Sequence, residues 1–355
     1  MTRWRLSVLP LFAIACSSET VGPPPAAPIN WQSLTEPSAV DAGTEVTTAK
    51  ERALPSQYVS ALGSPGLGEL GPLLDEDVHL ASPGVGDANG RAAVVRAHAA
   101  LFGAFDDRKV VLRRVWRTPN EQTIEWTMTG AQARDFMGIR STHKEVAFKG
   151  LTLLWTKDDG SITEVHLYVD TAVVKAQLGV GPKELIALPA PALGSEPAQT
   201  FEEPTTGTEN EKRNAAVVQS ALDSLENNSE SGYIGAMTDD VEVNTLERAR
   251  PAIGKQEARL YYKAMHKAIG QLDTTTENAW GVGRFAVVEY WIAGEQLAPI
   301  GWIPVQPDKV IRLEIVDVVE IREGKIARVW RYDDPTEIAA VRDPIEPDHA
   351  GTSVH

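Results

Sequence analysis

The feature that most constrains this chain is an internal repeat. The segment EWTMTGAQ at 125–132 returns as EYWIAGEQ at 289–296, and GSITEVHLYVD at 160–170 returns as GKIARVWRYDD at 324–334, both at an offset of 164 residues. Weaker echoes keep the frame. DEDVHL (75–80) aligns with TDDVEV (238–243) at 163, and GRAAV (90–94) with GKQEA (254–258) at 164. One register held over about 95 residues marks a duplicated structural unit, so the chain must fold as two copies of one architecture.

Each copy carries helix-like segments first and strand-like segments later. NAAVVQSALDSLENN (214–228) gathers Val217, Val218, Ala221, Leu222 and Leu225 on one helical face, and GRAAVVRAHAALFGAF and KQEARLYYKAMHKAI read as a further helix in each copy. Runs rich in β-branched and aromatic residues follow. They are KVVLRRVWR, QTIEWTMTG, EVAFKGLTLLWT and SITEVHLYVD in the first copy, and RFAVVEYWIAG, KVIRLEIVDVVEIRE and KIARVWRYD in the second. Helices followed by antiparallel strands predict an α+β domain in which a curved sheet wraps the helices.

The remaining sequence sets the boundaries. MTRWRLSVLPLFAIACSSE has two arginines, an apolar run from Leu6 to Ala15 and small residues around Cys16, the layout of an export signal. The run is far short of the roughly 20 residues that a membrane-spanning helix needs. We therefore expect a signal peptide over 1–16, a Pro/Ala/Ser/Thr-rich tether over 17–50, domains at 51–180 and 211–342, a linker over 181–210 and a disordered tail over 343–355. Cys16 is the only cysteine, so no disulfide forms within the chain. With 49 acidic against 34 basic side chains the net charge is −15, and such a surface repels nucleic-acid phosphates.

AIAC, ending at Cys16, resembles the bacterial lipobox, with Ala13 where leucine is usual. The resemblance implies lipid modification of Cys16 and an exported protein held at the cell envelope, on the outer membrane or periplasmic face, through a lipid anchor alone. In the first copy, MTGAQARDFMGIRSTHKEVAFKG (128–150) followed by GSITEVHLYVDTAVVKAQLG (160–179) resembles the SnoaL-like polyketide cyclase family of the nuclear transport factor 2-like superfamily. The second copy shares the resemblance through GKIARVWRYDD and the repeat. It implies tandem cone-shaped α+β barrels, each a curved antiparallel sheet around about three helices with a pocket open at one end. Relatives include ketosteroid isomerase, epoxide hydrolases, ester cyclases and members that only bind ligands or partners. Many catalytic relatives have G-x-H where this chain has Gly130-Ala131-Gln132 and Gly294-Glu295-Gln296, an amide that cannot transfer protons in place of an imidazole that can.

The Y-x-D strand end focuses the chemistry. Strand alternation puts Asp170 on one side with Tyr168, His166 and Glu164, and Asp334 with Tyr332, Trp330, Arg328 and Ile326. If that side lines the cone, Asp170 is a candidate acid/base with Tyr168 and Gln132 as hydrogen-bond donors. A carboxylate desolvated by aromatic walls has the raised pKa of a general base beside a carbonyl. The alternative for Asp170 is a helix N-cap before DTAVVKAQLG, and Asp334, flanked by Asp333 and Pro335, admits a capped turn as well.

Candidate ligand contacts are His166, Trp116, Trp126, Trp280, Tyr290, Gln296, Trp330, Tyr332 and Asp334; the aromatics among them, with Trp155, also read as plain core. His79 and His98 lack metal-ligand spacing, and no HExxH, Cys/His cluster or G-x-S-x-G elbow occurs, so neither metal nor other cofactor is expected. The sequence thus leads to an envelope-anchored protein binding a small lipophilic or aromatic molecule. The alternatives are an isomerase, cyclase or hydrolase acting through Asp170, and a protein-interaction scaffold. The two copies can pack sheet to sheet as an intrachain pseudo-dimer, or the chain can form a homodimer.

Overall fold

The computed structural model describes residues 49–181, 185, 201–246, 248, 250–306 and 309–339. Cys16 and the expected signal, the tether up to residue 48, most of the linker and the tail lie outside the described residues. No helix among the described residues is long and apolar enough to cross a membrane.

The first copy runs α1 (Ala49–Gly63), β1 (Leu74–Ala81), β2 (Ala88–Asn89), α2 (Arg91–Phe102), β3 (Phe105–Arg117), β4 (Glu121–Gln132), β5 (Glu145–Thr156), β6 (Ile162–Tyr168) and α3 (Thr171–Leu178). After β7 (Phe201–Pro204) the second copy repeats the plan. It runs α4 (Glu209–Glu226), α5 (Glu230–Gly235), β8 (Met237–Thr245), β9 (Ala252–Ile253), α6 (Gly254–Ala268), β10 (Ile269–Val282), β11 (Phe285–Gln296), β12 (Val310–Arg322), β13 (Lys325–Asp333) and α7 (Thr336–Ala339). Strand order is β2-β1-β6-β5-β4-β3-β7 in one sheet and β10-β11-β12-β13-β8-β9 in the other, so apart from β7 the copies agree strand for strand.

Two expectations change. The sheets are mixed: β1 lies parallel to β6 and β8 parallel to β13, because these strands enter between helices instead of through hairpins. Phe201–Pro204, expected in the linker, adds β7 as a parallel edge strand on β3.

Local signals explain the joints. Glu323 and Gly324 both have positive φ (53° and 70°), which closes β12 onto β13 in the tight turn that glycine favours. Helix α4 begins in a capping box between Thr208 and Glu211. Helix α3 is stopped by Gly179 in the left-handed region (φ 85°).

In the central strands β4, β5, β11 and β12 both faces of the sheet are largely buried, and this decides what those strand residues see. Inside the first cone, Tyr58, Phe102, Trp126, Phe148, Val165 and Leu167 form one apolar cluster, and inside the second Tyr262, Val288, Tyr290, Ile315 and Val329 form another. A third cluster draws on both sheets: Trp116, Leu151, Leu153 and Tyr168 pack with Phe285, Val287, Val316, Val318, Trp330 and Tyr332. The two sheets therefore meet along a buried seam, each covering part of the outer face of the other.

Candidate functional site

The structure separates the sequence-predicted residues into three groups. The first consists of caps and staples. Asp170 is 3% exposed and caps α3, its carboxylate accepting the Val173 N–H at 3.0 Å. This is the N-cap that stood as the alternative to the acid/base role: the first turn of a helix presents unpaired N–H groups that a carboxylate satisfies. Asp334 is fully buried; it accepts the Thr336 N–H (3.0 Å) and hydroxyl (2.7 Å), and from the first copy the Thr171 N–H (3.2 Å) and hydroxyl (2.6 Å). Burial raises its pKa above the ordinary carboxylate value, against these bonds. Gly84 is pressed against it, and a Cβ there would come within 2.1 Å of the carboxylate.

Gln132 and Gln296 fasten loops. The Gln132 amide donates to the carbonyls of Ile139 (3.1 Å) and Arg140 (3.3 Å), and its oxygen accepts the Thr142 N–H (2.9 Å) and hydroxyl (2.6 Å). Gln296 repeats the pattern, donating to the Ala298 and Pro304 carbonyls (3.4 and 3.2 Å) and accepting the Gln306 N–H at 3.0 Å. A neutral imidazole has one donor and one acceptor and cannot make four such bonds, whereas an amide can. Glutamine at these positions therefore serves loop geometry, with the four Gln132 bonds all going to residues 139–142.

The second group lies in the seam, not in a cone. Trp116, Trp330, Tyr168 and Tyr332 belong to the cluster shared by both sheets, with Trp280 packed against it. The parity expectation kept Tyr168 and His166, and likewise Trp330 and Tyr332, on one side of their strands, but that side faces the seam, because Val165, Leu167 and Val169 point into the cone instead. Ile326, beyond a register shift in β13, falls in the second cone's cluster and departs from the alternation. The seam is reciprocal. Tyr168 donates to Glu289 of the second copy (2.7 Å), and Tyr332 donates to Glu125 of the first. Arg114 clamps Glu125 through both oxygens and lies over the Trp330 ring at 4.1 Å, while Asn278 holds Glu289 at 2.5 Å. Burial opposes ionisation of Glu125, but the Arg114 charge prevails and holds its pKa at about 2.

His166 joins the seam on a different errand. Its Nδ1 lies 2.6 Å from Glu289 and its Nε2 2.9 Å from Glu164. Burial works against the imidazolium, yet the two carboxylates push its pKa up to about 9. His79 stands beside them, 3.4 Å from Glu164, and ligand atoms of His79, Glu164 and His166 lie within 4.8 Å of one another. The sequence expectation of no metal-ligand spacing did not foresee this cluster, which two parallel strands assemble from residues 85 apart.

The third group faces the cone interiors, and only Trp126 and Tyr290 among the predicted residues are in it. Sequence reasoning missed their partners. In the second cone the Tyr290 hydroxyl donates to Asp317 (2.9 Å), and Arg331 grips both Asp317 oxygens through Nε (2.9 Å) and Nη2 (2.7 Å). Arg331 also donates to the Tyr290 hydroxyl (2.9 Å) and to Tyr261 of α6, whose ring it overlies at 4.9 Å. Burial disfavours the guanidinium, but the Asp317 carboxylate more than offsets it and raises the Arg331 pKa well above its usual value. Burial likewise raises the Tyr290 phenol far above normal, so it stays a donor. The arginine side chain is 10% exposed and the aspartate 6%. The signal available in sequence was Asp317 on a face of β12 otherwise made of Ile311, Leu313, Ile315, Val319 and Ile321, where a charge survives only if paired. An open surface depression of about 820 Å³ lies elsewhere on this copy, lined by residues including Ser229, Glu230, Lys255 and Arg259, and shares none of these cone residues.

A family model described as SnoaL-like polyketide cyclase matches residues 56–178 and again 215–340. No curated protein matches the chain. Among solved structures, a candidate SnoaL-like polyketide cyclase from Jannaschia sp. CCS1 is 17% identical with a TM-score of 0.34, covering 38% of this chain and 97% of its own. An M. tuberculosis LEH-like epoxide hydrolase is 14% identical (TM-score 0.31; 37% of this chain, 90% of its own). A candidate ketosteroid isomerase from Kribbella flavida DSM 17836 is 16% identical (TM-score 0.29; 41% and 93%). With both copies matched over most of their length, this chain belongs to the SnoaL-like polyketide cyclase family, as two tandem domains.

Proposed function

We propose that this protein is an exported lipoprotein whose second cone binds a small lipophilic molecule carrying a carbonyl or comparable hydrogen-bond acceptor. The observation that supports this reading is the Asp317–Arg331–Tyr290–Tyr261 network inside an otherwise apolar cone. A few convergent polar groups set in apolar walls are what orients a small ligand. Arg331 and the half-buried Tyr261 supply the donors, and the surrounding Val288, Ile292, Leu313 and Val329 supply the apolar contact. The first cone, filled with packed aromatic rings, serves as the structural partner of the second, and the reciprocal Tyr–Glu bonds make the pair an intrachain pseudo-dimer.

Binding is favoured over proton transfer. Both Asp317 oxygens are occupied by Arg331, Asp170 and Asp334 are engaged as caps, and glutamine stands at both G-x-H positions. Anchoring through a lipid on Cys16 rests on the leader sequence and AIAC. Calorimetric titration of the protein with steroid- and polyketide-like ketones tests the binding reading. Tyr261→Phe should weaken the best ligand about tenfold, near 1.4 kcal/mol, while leaving the fold intact; affinity indifferent to both Tyr261→Phe and Arg331→Leu, or turnover of the ligand, would reject it. Cys16→Ala should release the protein from the membrane fraction.

A further inference from the structure

We propose that His79, Glu164 and His166 form a binding site for one divalent transition-metal ion of the zinc class, braced across the seam by Glu289. The site begins with register. β1 runs parallel to β6 with His79 opposite Glu164 and Ala81 opposite His166, so alternation places the three side chains on one face. Two imidazoles and one carboxylate are a donor set that zinc accepts, leaving a fourth position for water.

The spacing suits that ion. Donor atoms held about 2.0–2.2 Å from a tetrahedral metal stand about 3.3–3.6 Å from one another. His79 Nδ1 and Glu164 Oε1 are 3.4 Å apart, His166 Nε2 and Glu164 Oε1 are 2.9 Å apart, and all three atoms fall within 4.8 Å. Small side-chain adjustments seat a metal among them.

The support around the ligands resembles that of a built site. A metal-ligating histidine usually donates its other ring N–H to a carboxylate, which fixes ring orientation and makes the free nitrogen a better ligand. His166 does this through Nδ1 to Glu289, 2.6 Å away and 2% exposed. Glu289 is itself fixed by the Tyr168 hydroxyl at 2.7 Å and the Asn278 amide at 2.5 Å. The Trp155 ring, with its centroid 4.6 Å from that of His166, walls one side. His79 and Glu164 keep 37% and 42% of their side chains exposed, which gives an ion a path from solvent. Because His166 is held by a carboxylate of the other copy, a metal here would tie the two domains together.

The full chain, stripped with EDTA and titrated with Zn²⁺ by calorimetry and with Co²⁺ by visible absorption and tryptophan fluorescence, tests the proposal. We expect 1:1 stoichiometry, quenching of Trp155 emission by Co²⁺, and a higher melting temperature with Zn²⁺. His79→Ala and Glu164→Gln should each lose at least tenfold in affinity while melting like the wild type in EDTA. His79 is the informative position, since its substitution leaves the His166–Glu289 contact in place. Glu289→Gln should weaken binding 10- to 100-fold through its effect on His166. Absence of saturable 1:1 binding, or equal affinity in wild type, His79→Ala and Glu164→Gln, would overturn the proposal in favour of an imidazolium that bridges two carboxylates.

Discussion

The two cones share a backbone frame yet treat their interiors in opposite ways. In the first, Ile124 pairs with Thr152 and Thr152 with Leu167; in the second, Val288 pairs with Asp317 and Asp317 with Arg331. One interior position thus holds threonine beside leucine, and its counterpart holds aspartate beside arginine. Trp126 and Tyr290 occupy matching places and both donate to this position, the indole to Thr152 (2.9 Å) and the phenol to Asp317 (2.9 Å). The hydrogen bond is retained while the chemistry around it changes from a packed aromatic core to a buried ion pair. In the duplicated fold, therefore, three register-equivalent positions separate a packed aromatic interior from one built around a buried ion pair.

The largest test of this comparison is Arg331→Leu, which installs the first cone's residue in the second. Asp317 is left buried without its partner, and urea unfolding should show a loss of about 3–5 kcal/mol. The triple change Asp317→Thr, Arg331→Leu and Tyr290→Trp should recover most of that loss. A triple variant as unstable as the single one would show that the cones are not interchangeable at these positions.

A pH titration distinguishes the cones next. His98 is fully buried in the first, its Nε2 bonded to the Tyr58 hydroxyl at 2.8 Å and its Nδ1 to the Val94 carbonyl at 2.9 Å, whereas the 164-residue offset places Tyr262 in the second. Burial lowers the His98 pKa from 6.5 to about 4. The unfolded chain then binds the proton more readily, so this contribution is complete above pH 6.5 and is lost as pH falls toward 4. It amounts to about 3 kcal/mol. Chemical denaturation between pH 7 and 4 should show that slope in wild type and lose it in His98→Phe, at some constant cost in stability.

The glutamine staples offer a symmetric control. Gln132→Ala and Gln296→Ala each strand buried loop groups and should cost about 1–3 kcal/mol, with the first larger because Gln132 makes four bonds to the three of Gln296. The smallest effect is expected from Asp170→Ala, about 1 kcal/mol for a lost N-cap. Ligand affinity should stay unchanged in that variant; its abolition would restore Asp170 to a pocket role.

Much of this architecture was legible in the chain. The repeat fixed two copies, the β-branched runs at 122–130, 145–156, 284–294 and 325–333 became strands, and the capping alternative for Asp170 followed from the apolar run after it. The site was less legible. Asp317 and Arg331 lie in runs that read as ordinary strands, and their pairing depends on the β12–β13 register. His79 meets Glu164 and His166 only because a strand near the start of the copy inserts beside its last one.

Alternation in GSITEVHLYVD settled by sequence alone that His166 and Tyr168 share a side. It could not settle which side faced the cone, because here both sides are buried, Val165 and Leu167 in the cone and Tyr168 in the seam. Hydropathy identifies an inner face only when the other face meets water. Once a second copy covers the outer face, that contrast vanishes, and only tertiary packing determines whether a tyrosine lines a pocket or joins two domains.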